Sequence, residues 1–425
     1  MTLDFRLLED DGRQRWSPFA ETRPLGELLF GTRLMRVRLE EWLGRDATAS
    51  LVPRSLVGYF EDGAPTVTPM ESDDAPSSHW CVALSSRFVP TDAAPPPPLR
   101  KAPGSASGDT GPRPRPIFLE TTPPVGVGWL LPPGTLPPER DGHPTLPSAD
   151  DGLPDEAIRV DGILLDAPWD LVNRNARQIA DDLARLGHLP RHPESEVLGE
   201  HPVTLGGDGI QIAPQVALDT REGPIHLESG VRLDPFTHLA GPAWVGGDST
   251  LFGGRIGGVS IGPRCKLRGE ISDSVILGYS NKAHDGYLGH ALVGRWVNLG
   301  AGTTNSDLKN NYSPVRVEVG NDRTVDTGLL KVGVFLGDHV KTGIGTLLNT
   351  GTLVGAGSNV FGGRMPPGWV PPFSWGTGDR LVPFHLDRFL EAAERAMARR
   401  DRTLREPMRE LLTRLWERTH GPVVG

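Results

Sequence analysis

Between Gly278 and Val315 the chain reads GYSNKAHDGYLGHALVGRWVNLGAGTTNSDLKNNYSPV, a stretch dense in His, Asn, Tyr and Lys. Side chains of this kind can hold a polar substrate and move a proton. Histidine is the one best matched to neutral pH, so His284 is a candidate proton acceptor. The ordinary alternative is a loop histidine hydrogen-bonded to backbone. A second group lies near the start of the chain, where Gly12, Arg13, Arg15 and Arg23 punctuate DDGRQRWSPFAETRPLGELLFG and could meet phosphate. Asp161 and Asp166 bracket DGILLD; they are possible metal carboxylates or an ordinary strand-flanking turn.

The elements that must position these groups follow from a six-residue period. Leu336, Thr342, Leu348, Val354 and Val360 recur at that interval, and Gly337, Gly343, Asn349 and Gly355 follow four of them. A 3.6-residue helix cannot produce this register; a parallel β-helix of hexapeptide rungs does. Earlier tracts carry the same period out of phase: Ile225, Val231 and Thr237; Val245 and Leu251; Ile261 and Leu267; Ala291, Val297 and Thr303. Loops must therefore interrupt the coils, the largest spanning Asn305 to Leu330. The polar stretch falls where the solenoid would otherwise repeat aliphatics, which marks it as a site.

Here the chain resembles the acetyltransferase domain of the bifunctional N-acetylglucosamine-1-phosphate uridyltransferase and glucosamine-1-phosphate N-acetyltransferase. It is closer still to divergent bacterial sugar nucleotidyltransferases that share NKAHDG, LKNNY, NTGT and FSWG, the last at Phe373 to Gly376. The resemblance implies a left-handed β-helix, acetyl-CoA as cosubstrate and a hexosamine 1-phosphate as acceptor. It makes His284 the general base and Glu270 the acid that orients it. Tyr287 and Asn298 would hold the sugar, Lys282, Lys266 and Arg268 its phosphate, and Asn311 and Tyr312 the region of the acetyl group. Ala301 and Ala356 would border acetyl-CoA, with Asp338 one coil below Ala356 where the family has serine. A different resemblance, to β-helical carbonic anhydrases, would instead assemble His284, His290 and His339 around zinc with one open position.

The N-terminal stretch looks like a worn nucleotidyltransferase signature, which implies an α/β domain using a nucleoside triphosphate and Mg2+. Clustered glycines are missing, and Leu25 stands where the family has lysine after Arg-Pro. Before residue 200 the sequence contains one lysine, Lys101. Arginine binds phosphate too, so both an active domain and a retained, inactive one fit.

The expected organisation is an α/β domain over 1–190 with Pro-rich loops near 91–116 and 131–157, a β-helix over 200–375 and a C-terminal helical cap over 380–420. Within these, helices are expected from Leu28 to Leu43 and from Asp170 to Leu186, with Asp170 as N-cap and Gly187 as C-cap. The 53 Gly and 41 Pro suit a chain of turns and short strands. A net charge of -9 without a basic patch argues against nucleic acid as a partner. Cys81 and Cys265 make no disulfide framework, in keeping with a reducing compartment. The opening MTLDFRLLEDDGRQRW lacks a signal-peptide core, and no apolar run of about eighteen residues exists to span a membrane. A cytoplasmic homotrimer with sites between chains, acting in cell-envelope sugar-nucleotide biosynthesis, is the expectation; a sugar-nucleotide-binding scaffold is the non-catalytic alternative.

Overall fold

The computed structural model describes residues 2–91, 94–103, 112–150, 153–185, 196–320 and 323–421. Much of the expected loop KAPGSASGDTGPRPRP, and Gly187, lie outside these residues. The first unit is built on a seven-stranded sheet: β1 (Leu3–Leu8), β2 (Ala49–Val52), β3 (Thr66–Pro69), β4 (Trp80–Ser85), β5 (Arg115–Leu119), β6 (Gly126–Leu131) and β7 (Ile158–Val160). Its strand order is β3-β2-β1-β4-β6-β5-β7. The pairs among β3, β2, β1 and β4 are parallel, β6 is antiparallel to both neighbours, and β5 and β7 are parallel. Helix α1 spans Met35–Leu43 and ends at Gly44, whose φ of 65° suits a residue without Cβ. It starts later than expected because Leu29–Phe30 and Arg33–Leu34 first form a tight antiparallel pair. Helix α2 covers Pro168–Arg185. Asp170 is inside its first turn, where its carboxylate reaches back to the amides of Asp166 and Ala167.

From Glu196 the chain winds into a parallel β-solenoid with three faces. Face I includes Glu270–Ser272, Tyr287–Gly289 and Thr304–Asn305; face II includes Val275–Ile276, Leu292–Val293 and Phe335–Leu336; face III includes Lys266–Leu267, Asn281–Lys282 and Asn298–Leu299. Along each face one residue of a rung points in. Ile256, Ile271 and Leu288 do so on face I, Ile261, Ile276 and Val293 on face II, and Leu251, Leu267 and Leu299 on face III, all within one continuous core. The loop after Asn305 carries a hairpin, Arg316–Glu318 with Thr324–Asp326.

The N-terminal unit covers face II. Phe30, Trp169, Leu171 and Val172 share a buried cluster with Val275, Leu292, Phe335 and Leu353, the outward residues of that face. Ser260 Oγ donates to Gly31 O at 2.6 Å and to Asn175 Oδ1 at 3.0 Å. Helices α3 (Leu386–Ala398) and α4 (Glu406–His420) run along the corner between faces II and III. Their Phe389, Leu390, Leu412 and Leu415 enclose Ala356 and Phe373, while Leu411 packs on Val52, Leu56 and Tyr59 of the first unit. Arg264 Nη1 donates to Arg400 O several coils earlier, so the helices follow the corner rather than covering the last coil alone. Among the described residues no helix is long and apolar enough to cross a membrane.

Asp338 and Lys282 are among the charged side chains buried in this framework. Asp338 is 2% exposed and accepts from Thr22 Oγ1 at 2.8 Å, from Arg23 Nη2 at 2.8 Å and from the Arg295 amide at 2.7 Å. Burial works to raise its pKa, but the Arg23 guanidinium outweighs it and holds the carboxyl below the usual range. Lys282 is in register with inward-facing Leu267 and is itself 2% exposed, its Nζ donating to Arg268 O at 3.0 Å and His284 O at 2.8 Å. Burial depresses it to about 8.

Breaking the buried pair strands a charge, so Asp338→Asn should lower the urea unfolding free energy by about 3–5 kcal/mol. The depressed pKa adds stability that is full above about pH 4, the unfolded carboxyl value, and is lost as pH falls through the folded value. For Lys282 the depressed pKa instead costs stability at neutral pH, while the slope with pH keeps the same sign. The unfolded chain binds the extra proton, so stability should rise from about pH 8 toward about pH 10.4, and comparing urea unfolding at pH 7.5 and 10 should show a smaller rise in Lys282→Met.

Candidate active site

The corner joining face III to face I carries His284. Asn281 is in register with Asn298, and Asn298 with Lys341, so His284, Ala301 and Ile344 occupy equivalent places on successive coils. His284 is exposed and Ala301 half-buried, while Ile344 is 82% exposed. On face I, Glu270 pairs with Tyr287, and both side chains point outward because their neighbours Ile271 and Leu288 are buried. Glu270, His284 and Tyr287 therefore gather at one solvent-facing corner, although no hydrogen bond links Glu270 to His284. Arg268 stands one coil below, its Nε donating to Asp285 Oδ1 at 3.0 Å. Lys266 and Asn298 are exposed on face III, where Asn281 Nδ2 donates to Asn298 Oδ1 at 2.9 Å.

Several expected members are elsewhere. Lys282 cannot meet a substrate phosphate, since its side chain is inside the coil and spent on two carbonyls. Asp338 and Ala356 lie on the II–III corner, not the III–I corner that bears Ala301. Asp338 is locked to Arg23, and Ala356, 1% exposed, is covered by α3 and α4. They form no acetyl-CoA wall with Ala301 in one chain. Asn311 and Tyr312 are on an exposed turn of the loop that leaves face I, with Tyr312 70% exposed and no contact to His284 or Glu270. The three histidines stand on three different corners, His290 at I–II and His339 at II–III. His339 is buried beside Trp296 and Phe389, and burial and the charge of Lys341 depress it to about 3. The three do not meet within one chain, and no cluster of three or more potential metal ligands occurs among the described residues.

The structure adds a group that the sequence did not reveal. Tyr287 OH is 2.7 Å from Asp307 Oδ2 and 3.1 Å from Ser272 Oγ, and His290 Nδ1 is 2.8 Å from the same Asp307 oxygen. Burial would raise Asp307, but His290 and the Tyr287 hydroxyl outweigh it and hold the carboxylate low. Burial first, with Asp307 contributing, raises the Tyr287 phenol, so it stays protonated and can donate. Asp307 is twenty residues from Tyr287 in sequence, and only the stacking of faces reveals the pairing.

In the N-terminal unit the strand order reverses between β1 and β4, the place where open α/β sheets bind ligands at their C-terminal strand ends. That place is filled by an ion pair. Arg87 Nη2 meets Asp10 Oδ1 at 2.6 Å, and its Nη1 donates to Leu165 O at 2.8 Å and to Asp166 Oδ1 at 3.3 Å. A Cβ at Gly12 would collide with that guanidinium. Asp10 also accepts from the Gly12 amide at 3.0 Å and from Ser85 Oγ at 2.5 Å, so neither oxygen is left for Mg2+. Arg13 is buried against Glu9 and Ala20 O, Arg15 pairs with Asp166 at 2.8 Å, and Arg23 with Asp338. The arginines expected to meet phosphate are engaged by the protein's own carboxylates.

Residues 6–98 match the family model described as "Sugar nucleotidyl transferase". A bifunctional sugar-1-phosphate nucleotidylyltransferase/acetyltransferase from Sulfurisphaera tokodaii is 34% identical over 96 residues, 23% of this chain and 24% of its own length. The bifunctional protein GlmU of Carboxydothermus hydrogenoformans is 30% identical over 206 residues, 43% of this chain and 42% of its own. The matches thus span less than half the length of either relative. Among solved structures, the D94A mutant of AntD, an N-acyltransferase from Bacillus cereus in complex with dTDP and coenzyme A, aligns with 52% of this chain and 96% of its own at 16% identity and a TM-score of 0.22. The chain therefore joins a segment matching the sugar nucleotidyl transferase model to a parallel β-solenoid, and it resembles the GlmU-type bifunctional nucleotidylyltransferase/acetyltransferases.

Proposed function

We propose that the chain is a transferase of sugar-nucleotide biosynthesis that moves the acetyl group of acetyl-CoA to the amine of a hexosamine 1-phosphate, glucosamine 1-phosphate being the leading acceptor. The observation that carries this reading is the convergence of Glu270, His284 and Tyr287 on one open corner of the solenoid, together with the resemblance to proteins named as acetyltransferases. His284 takes a proton from the amine as its nitrogen attacks the thioester carbonyl. The C–N bond forms, the C–S bond breaks, and coenzyme A leaves as thiolate to be protonated. Glu270, one coil away, favours the imidazolium that forms. Tyr287, which donates to Asp307 and lies beside Ser272, offers its hydroxyl oxygen as an acceptor for a sugar hydroxyl, with Asn298, Lys266 and Arg268 along the approach. Ala301 offers a small side chain to the cofactor on the His284 corner.

Faces I and III and their shared corner are the parts of the solenoid left open by the N-terminal unit and by α3 and α4. A cytoplasmic homotrimer that brings a second chain to this corner completes the reading and would supply the contacts that Ala356 and Asp338 do not. Nucleotidyl transfer is the lesser part of it. The Asp10–Arg87 pair occupies the switch point of the sheet and engages both Asp10 oxygens, which favours a retained domain over an active one. Mass spectrometry after incubation with hexosamine 1-phosphates, acetyl-CoA and mixed nucleoside triphosphates separates the two: an acetylated sugar phosphate is expected, and a sugar nucleotide would restore the second activity.

His284→Ala should lower kcat for glucosamine-1-phosphate-dependent thiol release by about 10²–10⁴-fold; unchanged turnover would overturn the assignment. Asp307→Asn should act differently, raising KM for the sugar phosphate several-fold with a smaller change in kcat, because it releases Tyr287 without removing the base.

A further inference from the structure

On the II–III corner, opposite the candidate active site, lies a cavity of about 430 Å³ within the size range of small-molecule sites. Its walls come from three parts of the chain: Arg23 and Phe60–Asp62 of the first unit, Tyr279, Arg295, Trp296 and His339 of the solenoid, and the 401–405 link between α3 and α4. Tyr279 and Trp296 stack at 4.4 Å between ring centroids with planes 24° apart. Trp296 continues toward His339 at 6.4 Å and 16°. The three occupy equivalent turn positions on successive coils and all have left-handed backbones, with φ of 56°, 64° and 62°. Large side chains are rare there, and such conformations persist where the surroundings hold them.

The polar lining pairs most of its guanidinium groups with carboxylates, and Asp401 on the link adds one more, exposed, carboxylate. Glu61 and Asp338 are taken by Arg23 and Arg295, and Asp62 by Arg402 at 2.8 Å. Arg402 also lies over the Tyr279 ring at 5.9 Å. Arg405 is exposed, lies 4.1 Å over Phe60 and forms no ion pair among the described residues. Deeper in, Arg23 Nη1, Arg295 Nε and His339 Nδ1 are buried without a hydrogen-bond partner, an arrangement that is unfavourable until a polar partner arrives. Burial keeps the His339 ring neutral at physiological pH, so it adds no charge.

We propose that this cavity binds a nucleoside diphosphate, its base against the Tyr279–Trp296 ladder and its phosphates at Arg402 and Arg405. A flat π-system suits the aromatic surface that half-buried Tyr279 and Trp296 present to the cavity, and guanidinium groups suit phosphate oxygens. A sugar phosphate without a base would leave the ladder unused. The occupant would touch both units and the C-terminal helices at once, so it would report nucleotide supply to the whole chain rather than enter the acetyl-transfer corner.

Calorimetric titration of the full chain with UDP and with ADP tests this. One molecule of at least one of them should bind per chain, and uridine, adenosine and inorganic pyrophosphate should each bind roughly tenfold more weakly or worse. The double variant Arg402→Ala/Arg405→Ala, at one half-buried and one exposed position, should weaken binding by roughly tenfold or more while keeping the wild-type unfolding midpoint to within a few degrees. Trp296→Leu, checked by the same midpoint, should weaken the nucleotides but not pyrophosphate. Absence of saturable binding up to millimolar nucleotide, or equal affinity in wild type and the double variant, would overturn the proposal; the latter would put the nucleotide elsewhere on the chain.

Discussion

A solenoid coil can pair its backbone amides and carbonyls only with the coils before and after it, and it can bury its inward aliphatics only by stacking. Everything else in this protein depends on that constraint. Register between coils becomes the coordinate system of the molecule: a residue's place in its rung decides whether it enters the core, faces a neighbouring unit or meets solvent. Thus Leu267 and Lys282 point inward while Lys266 and Asn281 point out, although the four alternate along two short strands. The same arithmetic stacks His284 beneath Ala301 and sets Glu270 beside Tyr287.

Because the three faces are equivalent as backbone, what distinguishes them is what covers them. Face II is occupied by apolar side chains from α2 and the segment around Phe30, and the II–III corner by the two C-terminal helices. The Arg23–Asp338 pair sits where these coverings meet. Bidentate use of a guanidinium there demands orientation as well as contact, so it sets the seating of the first unit as a nonspecific apolar patch would not. The candidate active site is left on the remaining corner, open to a second chain and to ligands.

The sequence made the solenoid legible because inward aliphatics must recur, and its polar interruption marked the candidate corner because chemistry needs groups that a core does not. What stayed hidden has a common cause. Coils differ in length, so the six-residue phase slips between tracts, and Lys282 read as a ligand contact although its place, six residues after inward Ile276, is an inward one. The partners of Asp338 and Asp307 are hidden for a different reason. Arg23 is 315 residues from Asp338, and the His290–Asp307–Tyr287 cluster joins two turns of the chain that only stacking brings together. In the first unit, the missing lysine and glycines marked a departure from the signature, yet nothing local showed that Arg87 would fill the space beside Gly12.

The left-handed turn position on the II–III corner has a consequence for how such a protein can change over generations. Asp248, Arg264, Tyr279, Trp296 and His339 all occupy it, at φ between 56° and 64°. Backbone geometry, not side-chain identity, is conserved along that edge, and each side chain points away from the core. The edge therefore works like a row of interchangeable type held in a fixed frame: single substitutions can rewrite what the row recognises, one coil at a time, while the packed interior that gives the frame its strength goes untouched.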